Sequence, residues 1–538
     1  MYLPDFLVIG SGCTGAMAAQ TLAEAGHTVL IIDGGQFDTT SAEKIPHETF
    51  ESLRRKDESQ EKYFLGDKFE SLPADEIGSG AQLTPARNFL TKEVDKYLPM
   101  ISDDFFAIES LAVGGLGGGW GLGCCVFNEK ELIRAGLNAE KMNSAYQVVA
   151  DRIGMCGEDD DARKFTSSHI KNIQPAPSKD IPAEFLQKKF QKKQSALNAN
   201  GFHLGRPALA LLTQDKGNRK ALDRRDMDFY DDHGHSAYRA WMTVAELKTK
   251  PNVTHEAGWL VTKFRELENS VEVTALRVGT NEEKIFSARK LILAAGPLGT
   301  ARVVLRSVEG GMNKKLPLLC NPYNYTPFLI PRLLGQSISP NHLGLAQLSL
   351  FHDRNNAGED IAMASLYSYH SLMLFRLLRE TPLNFRDGRI AMKYLLPAMV
   401  IAGIHHPETE GENQFLHLQR DNSTPTQDVL VAKYELSKEK ISAVNNREAE
   451  YRKAMRKLGA WAIKQVKPGN GASVHYAGVL PFSEAPSAFA IHASGRLHNH
   501  QRTFVADGSG FKYLPAKGLT LSLMANAHNV AGGAMKTI

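Results

Sequence analysis

Four consecutive apolar residues, Phe6-Leu7-Val8-Ile9, open the first patterned segment and read as a short buried strand. The period then changes. Ala16, Ala19, Leu22 and Ala23 recur at helical spacing, Gly26 ends that helix, and Val29 to Ile32 make a second buried strand closing on Asp33. Strand, helix and strand in so short a span predict a βαβ unit.

Beyond it, residues 42–110 are charged and irregular, with Pro73, Pro85 and Pro99, and residues 112–123 are Gly-rich. An amphipathic helix is expected over 137–156, with Met142, Tyr146, Val149 and Ile153 on one face. Val253 to Val278, broken at Glu266–Asn269, predicts antiparallel strands, and Lys290 to Gly296 a buried strand closing on glycine. Residues 315–435 have the strand-rich character of a second domain. A helix carrying Ala454, Met455, Leu458, Trp461 and Ala462 is expected after Arg447, and a last helix from about Gly518.

Composition narrows the class. The 538 residues are 43% hydrophobic and 23% charged, which excludes a disordered chain. Five cysteines (Cys13, Cys124, Cys125, Cys156, Cys320) exclude a disulfide scaffold and show no zinc spacing, so no metal is expected. A net charge of +4 gives no argument for nucleic acid. No apolar run is long enough to span a bilayer. The N-terminus lacks the features of a secretory signal, so a cytoplasmic location is expected.

The chemistry sits in glycine-rich joints. Gly10-Ser11-Gly12-Cys13-Thr14-Gly15 lies between strand and helix. Its glycines allow a tight turn, close approach of a pyrophosphate, and close helix–strand packing, while the helix N-terminus supplies N–H donors. Asp33 is placed to accept hydrogen bonds from a ribose. Gly114-Gly115-Leu116-Gly117-Gly118-Gly119-Trp120 would lay bare backbone against a flat ligand. Ala295-Gly296-Pro297 turns a buried strand into a helix, a second place for backbone to face a cofactor. The C-terminal block carries His475-Tyr-Ala-Gly, then Asp507-Gly508-Ser509, then the helix beginning at Gly518-Leu519-Thr520.

Together these motifs, in this order, resemble the glucose–methanol–choline (GMC) family of FAD-dependent oxidoreductases. The resemblance implies an α/β fold: a Rossmann-type FAD-binding domain (1–165, 246–310 and 455–538) interleaved with an α+β substrate domain (166–245 and 311–454) built on an antiparallel sheet. It implies FAD contacts at Gly10, Gly12, Cys13, Thr14, Gly15, Asp33, Gly114, Gly115, Gly119, Trp120, Val261, Ala295, Gly296, Asp507, Gly508, Leu519 and Thr520. It also implies a histidine base at His475, a residue type whose ordinary pKa suits proton removal near neutrality.

Three departures from the family pattern stand out. The second active-site residue, histidine or asparagine in the family, aligns with Gly518, so Lys517 or a residue of the other domain would have to serve, or the chemistry differs. The glycine loop has no histidine to tether the cofactor, so FAD is expected without a covalent bond. A segment from Gly205 to Ser236, cysteine-rich in some relatives, has no cysteine here.

The expected activity is oxidation of a CH–OH group of a sugar or other alcohol, glycoside and lipid-linked forms included, with oxygen, a quinone or another carrier as electron acceptor. The alternatives are a flavin-containing lyase or isomerase with no net redox change, and a protein holding FAD as a structural element. An oligomer is compatible with the sequence. Tyr367, Tyr369, His370, His405 and His406 could face a polyol. The apolar runs SLMLFRLLRE and AMKYLLPAMVIAGI could be core or a patch for a hydrophobic substrate. For His492, His498 and His500 a surface or turn role is expected.

Overall fold

The computed structural model describes residues 3–46, 84–223, 234–337, 343–368 and 382–536, with a few positions between 48 and 67. Tyr369, His370 and SLMLFRLLRE lie outside the described residues.

The N-terminal unit forms as the pattern predicts: β1 (Phe6–Ile9), α1 (Cys13–Glu24) and β2 (Val29–Asp33). β1 lies at the centre of a five-stranded parallel sheet in the order Thr503–Val505, Lys290–Leu293, β1, β2, Val253–Ala257. Central parallel strands are covered on both faces, which is why β1 and Leu291-Ile292-Leu293 are unbroken apolar runs. The last helix, Thr520–Met535, lies beside α1, and Thr21 Oγ1 stands 2.9 Å from His528 Nδ1. The helix Ala139–Ile153 buries Met142, Tyr146, Val149 and Ile153, and the Tyr146 hydroxyl lies 2.7 Å from that of Ser522.

The run Val253 to Val278 is not wholly antiparallel. Gly258, at φ +87°, breaks it: Val253–Ala257 joins the parallel sheet, and only Trp259–Glu266 and Val271–Arg277 pair antiparallel, with Glu283–Ala288 as third strand.

The second large sheet is antiparallel and six-stranded, in the order Trp461–Ala462, Tyr323–Leu329, Met399–His405, Ile361–Ser368, Leu348–Asp353, Phe202–Gly205. Alternation sets its two faces. Phe328, Ala362, Ala364, Leu366, Val400, Ala402 and Ile404 pack with Leu186, Phe190, Tyr451 and Met455 from the helices Ile181–Gln191 and Lys438–Lys457. Tyr323, Tyr325, Met363, Ser365, Tyr367, Ile401 and His405 occupy the opposite face. The apolar run 391–404 therefore ends in an interior strand and supplies core.

Two stretches fall on the other side of the expected boundaries. Met455, Leu458 and Trp461–Ala462 belong with the six-stranded sheet, because the helix Lys438–Lys457 continues through residue 455 without a breaker. Conversely, Leu316–Pro317, Gln414–Arg420, Asp428–Tyr434 and Met100–Ile101 form a sheet whose Leu316, Leu416, Leu418 and Leu430 share the core of the parallel sheet. Among the described residues no helix is long and apolar enough to cross a membrane. Nor do any three His, Cys, Asp or Glu among them stand together as metal ligands.

Candidate active site

The two large sheets face each other across a cavity of about 560 Å³. Three helices, α1, Pro297–Ser307 and Thr520–Met535, begin at its wall, and none has a side chain capping its first N–H groups. Free N–H donors and the positive ends of helix dipoles thus border the cavity, an arrangement suited to a dinucleotide's phosphates.

The glycine turn is dictated by contact. A Cβ at Gly15 would lie 1.8 Å from the Gly10 carbonyl oxygen, and one at Gly10 would lie 2.5 Å from that of Ala294. Both neighbours are backbone, so neither can swing aside. We expect Gly15→Ala to cost about 1–3 kcal/mol of strain and to yield protein retaining FAD about 10–100-fold more weakly, measured by FAD titration of the apoprotein.

Ser11 connects three motifs. Its hydroxyl donates to Asp33 Oδ2 and accepts from Gly114 N at 2.9 Å. Asp33 Oδ1 accepts from Gly35 N at 2.9 Å, and His255 Nε2 lies 3.1 Å from Oδ2. The glycine loop is packed: Trp120 Nε1 donates to Tyr238 O at 2.9 Å, and Arg239 Nη1 donates to Trp120 O at 2.7 Å. The third and fourth motifs meet at Asp507, whose carboxylate accepts from Thr300 Oγ1 (2.6 Å) and from Ser509 N and Oγ (3.0 and 2.5 Å). Burial pushes the Asp507 carboxyl above its ordinary range, against the pull of those bonds.

Of the expected cofactor contacts, Gly10, Gly12, Cys13, Thr14, Asp33, Gly115, Gly119, Trp120, Val261, Ala295, Gly296, Asp507, Gly508, Leu519 and Thr520 line the cavity. Gly15 and Gly114 do not; the first serves helix packing, and the second ties the loop to Ser11. Burial pushes the Cys13 thiol up to about 12, so it stays protonated. Glu109 and Arg302 are among the polar lining residues without a sequence signal, and their Oε1 and Nη1 pair at 2.6 Å.

His475 also lines the cavity, and its orientation is fixed by Asn321. The Asn321 amide nitrogen donates to the carbonyls of His406, Leu514 and Pro515 (2.8, 3.3 and 3.1 Å), which turns its oxygen toward His475 Nδ1 at 3.0 Å. An amide oxygen only accepts, so Nδ1 carries the hydrogen and Nε2 keeps its lone pair. Burial pushes the His475 pKa down to about 4, leaving the ring neutral at neutral pH.

Lys517 is a correction. Its ammonium is turned away from the cavity and is fully buried against Glu131 Oε2 (2.7 Å) and Val126 O (3.0 Å). An ammonium withdrawn from water must be paired, and the carboxylate that pairs it starts the helix Glu129–Ala135 rather than facing substrate. His406 is likewise committed elsewhere, with Nε2 at 3.3 Å from Glu448 Oε1. His405 and Tyr367 do face the cavity.

Fold and glycine-turn geometry define an α/β protein of the dinucleotide-binding class, with a second, antiparallel sheet across the cavity from the first. Comparison with known proteins agrees on the cofactor: residues 5–43 match the FAD binding domain family. No curated protein matches the sequence. Among solved structures the whole chain is similar in fold to a formate oxidase, with TM-score 0.60 and 13% identity over 99% of this chain and 98% of that one. A variant (R554A) of the formate oxidase of Aspergillus oryzae RIB40, studied for FAD modification, gives 0.58 and 12% over the same shares. Pyridoxine 4-oxidase from Mesorbium loti gives 0.57 and 14% over 99% of both chains.

Proposed function

We propose that the protein is a GMC-type FAD-dependent oxidoreductase that oxidises the CH–OH group of an uncharged alcohol, a sugar among them, with His475 as the base. The observation that carries this reading is the Asn321–His475 pair, which leaves Nε2 of a cavity-lining neutral imidazole free to accept a proton. FAD, when bound, supplies the hydride acceptor. The glycine turn, Asp33, Val261 and the three helix N-termini would hold it, and bare backbone at Gly115 and Gly119 would lie against it. His475 Nε2 takes the hydroxyl proton, and Asn321 keeps the ring in the accepting tautomer.

The substrate side fits a neutral molecule. The wall formed by Tyr323, Tyr325, Met363, Ser365, Tyr367, Ile401 and His405 carries no charged side chain among the described residues. The charged lining residues are committed elsewhere: Glu109 to Arg302, Arg306 to Asp428 at 2.6 Å, and Asp33 and Asp507 to the bonds above.

FAD is held without a covalent bond in this reading, since the loop 117–119 offers no histidine. Acid precipitation of the purified protein should leave the yellow flavin in the supernatant; colour retained in the pellet would contradict it. The activity is tested by supplying alcohols with and without an electron acceptor. Oxidation gives one carbonyl product per flavin without acceptor and continued turnover with it. A product that accumulates regardless of acceptor would mark a lyase or isomerase instead.

A further inference from the structure

We infer that His405, on the antiparallel sheet, is the second hydrogen-bonding group at the reacting hydroxyl, standing in for the side chain that Gly518 lacks. This rests on the reading of His475 as base.

Approach from position 518 is closed. A Cβ at Gly518 would lie 2.7 Å from the Gly123 carbonyl oxygen, so no side chain can project there without moving backbone. Its neighbour Lys517 is tied to Glu131. The opposite wall fills the gap. The rings of His405 and His475 stack at 4.8 Å between centroids and 24° between planes, and Tyr323 covers His405 at 4.5 Å and 42°. Sheet alternation explains why it is this histidine: 401 and 405 line the cavity, 403 lies between them on the same face, and 406 pairs with Glu448. Gly403 keeps the space clear, since a Cβ there would lie 2.7 Å from the Tyr323 hydroxyl.

No hydrogen bond from the described residues reaches either ring nitrogen of His405, although the ring is only partly exposed. The cavity is where those nitrogens find a partner. The titratable groups that face the ring are His475, His406 and Tyr323. Burial and the two neighbouring histidines hold His405 well below the ordinary histidine range. Stacked imidazoles at this spacing repel when both are charged, so the pair holds one proton at a time.

The O–H bond of the alcohol breaks, and its proton goes to His475 Nε2. The C–H bond breaks with its electron pair leaving as hydride for the flavin, and the carbon–oxygen bond becomes a carbonyl. Neutral His405 donates N–H to that oxygen while negative charge builds on it, the role of an oxyanion donor. The alcohol is oxidised by two electrons, for which bound FAD would supply the acceptor, with oxygen or another carrier as their later destination.

The test uses the FAD-loaded protein with benzyl alcohol as probe, in wild type, His405→Phe, His405→Gln and His475→Gln, followed by anaerobic flavin bleaching from pH 5 to 9. His405→Phe preserves the stack without a donor and should lower the limiting rate about 10²-fold. His405→Gln should restore most of that loss. Rate and apparent Kd within twofold of wild type in His405→Phe would overturn the inference. Ring ¹⁵N signals give a reading without turnover: His475→Gln should raise the protonation midpoint of His405 by removing its charged neighbour, and an unchanged midpoint would overturn the pairing. A His475→Gln protein that bleaches at the wild-type rate would overturn the base assignment, and this inference with it.

Discussion

His475→Gln is expected to slow alcohol-driven flavin bleaching by about 10²–10⁴-fold, the usual range for loss of a general base, with FAD content unchanged. The pH profile sharpens this. The folded-state pKa of His475 lies near 4, so the accepting nitrogen is free at every pH well above that value and is lost only as pH falls through it. The wild-type rate should therefore hold through the ordinary histidine range and decline toward pH 4. In His475→Gln that limb should vanish, because the ring whose protonation sets it is gone. A variant within tenfold of wild type, or a wild-type limb at the ordinary histidine value, would contradict the assignment.

Lys517→Met is expected to destabilise the protein by about 3–5 kcal/mol, because it leaves the Glu131 carboxylate buried and unpaired. Glu131 Oε2 also accepts from Asn128 N at 2.8 Å, closing the capping box of the helix Glu129–Ala135, so the loss would reach that helix. Removing both charges together, as Lys517→Met with Glu131→Leu, should recover much of the stability, less the lost cap. Denaturant unfolding of the three variants checks this. The pH profile of bleaching should not move in Lys517→Met; a moved profile at unchanged stability would return Lys517 to the chemistry.

These two residues show what was legible in the sequence. The βαβ unit was readable because its signals are local: an apolar run, a glycine turn and a helical period within one short span. The glycines' place along the cavity followed, since backbone-facing glycines at fixed spacing allow few conformations. The motif also pointed to His475, which the structure places on the cavity wall. Lys517 was misread because adjacency in sequence does not fix direction: Gly518 lines the cavity, while the side chain before it turns into the core and meets a helix nearly four hundred residues earlier. Asn321 carried no signal, because its role exists only once strands far apart in sequence are paired. His405 was visible as a candidate, yet its distinction from His406 required the register of Met399–His405 against Tyr323–Leu329. The boundary at 455 failed for a related reason: a continuous helix crosses it, and composition does not record which sheet a helix covers.

The central claim, that this cavity brings an alcohol to a redox-active FAD, is tested most directly by the flavin absorbance of the purified holoprotein under anaerobic addition of a panel of neutral primary alcohols and sugars. At least one of them should bleach the flavin band, with a carbonyl product in equal amount and colour restored by oxygen or an artificial acceptor. A flavin band that stays intact under every alcohol, while the same preparation is readily reduced by dithionite, would contradict it.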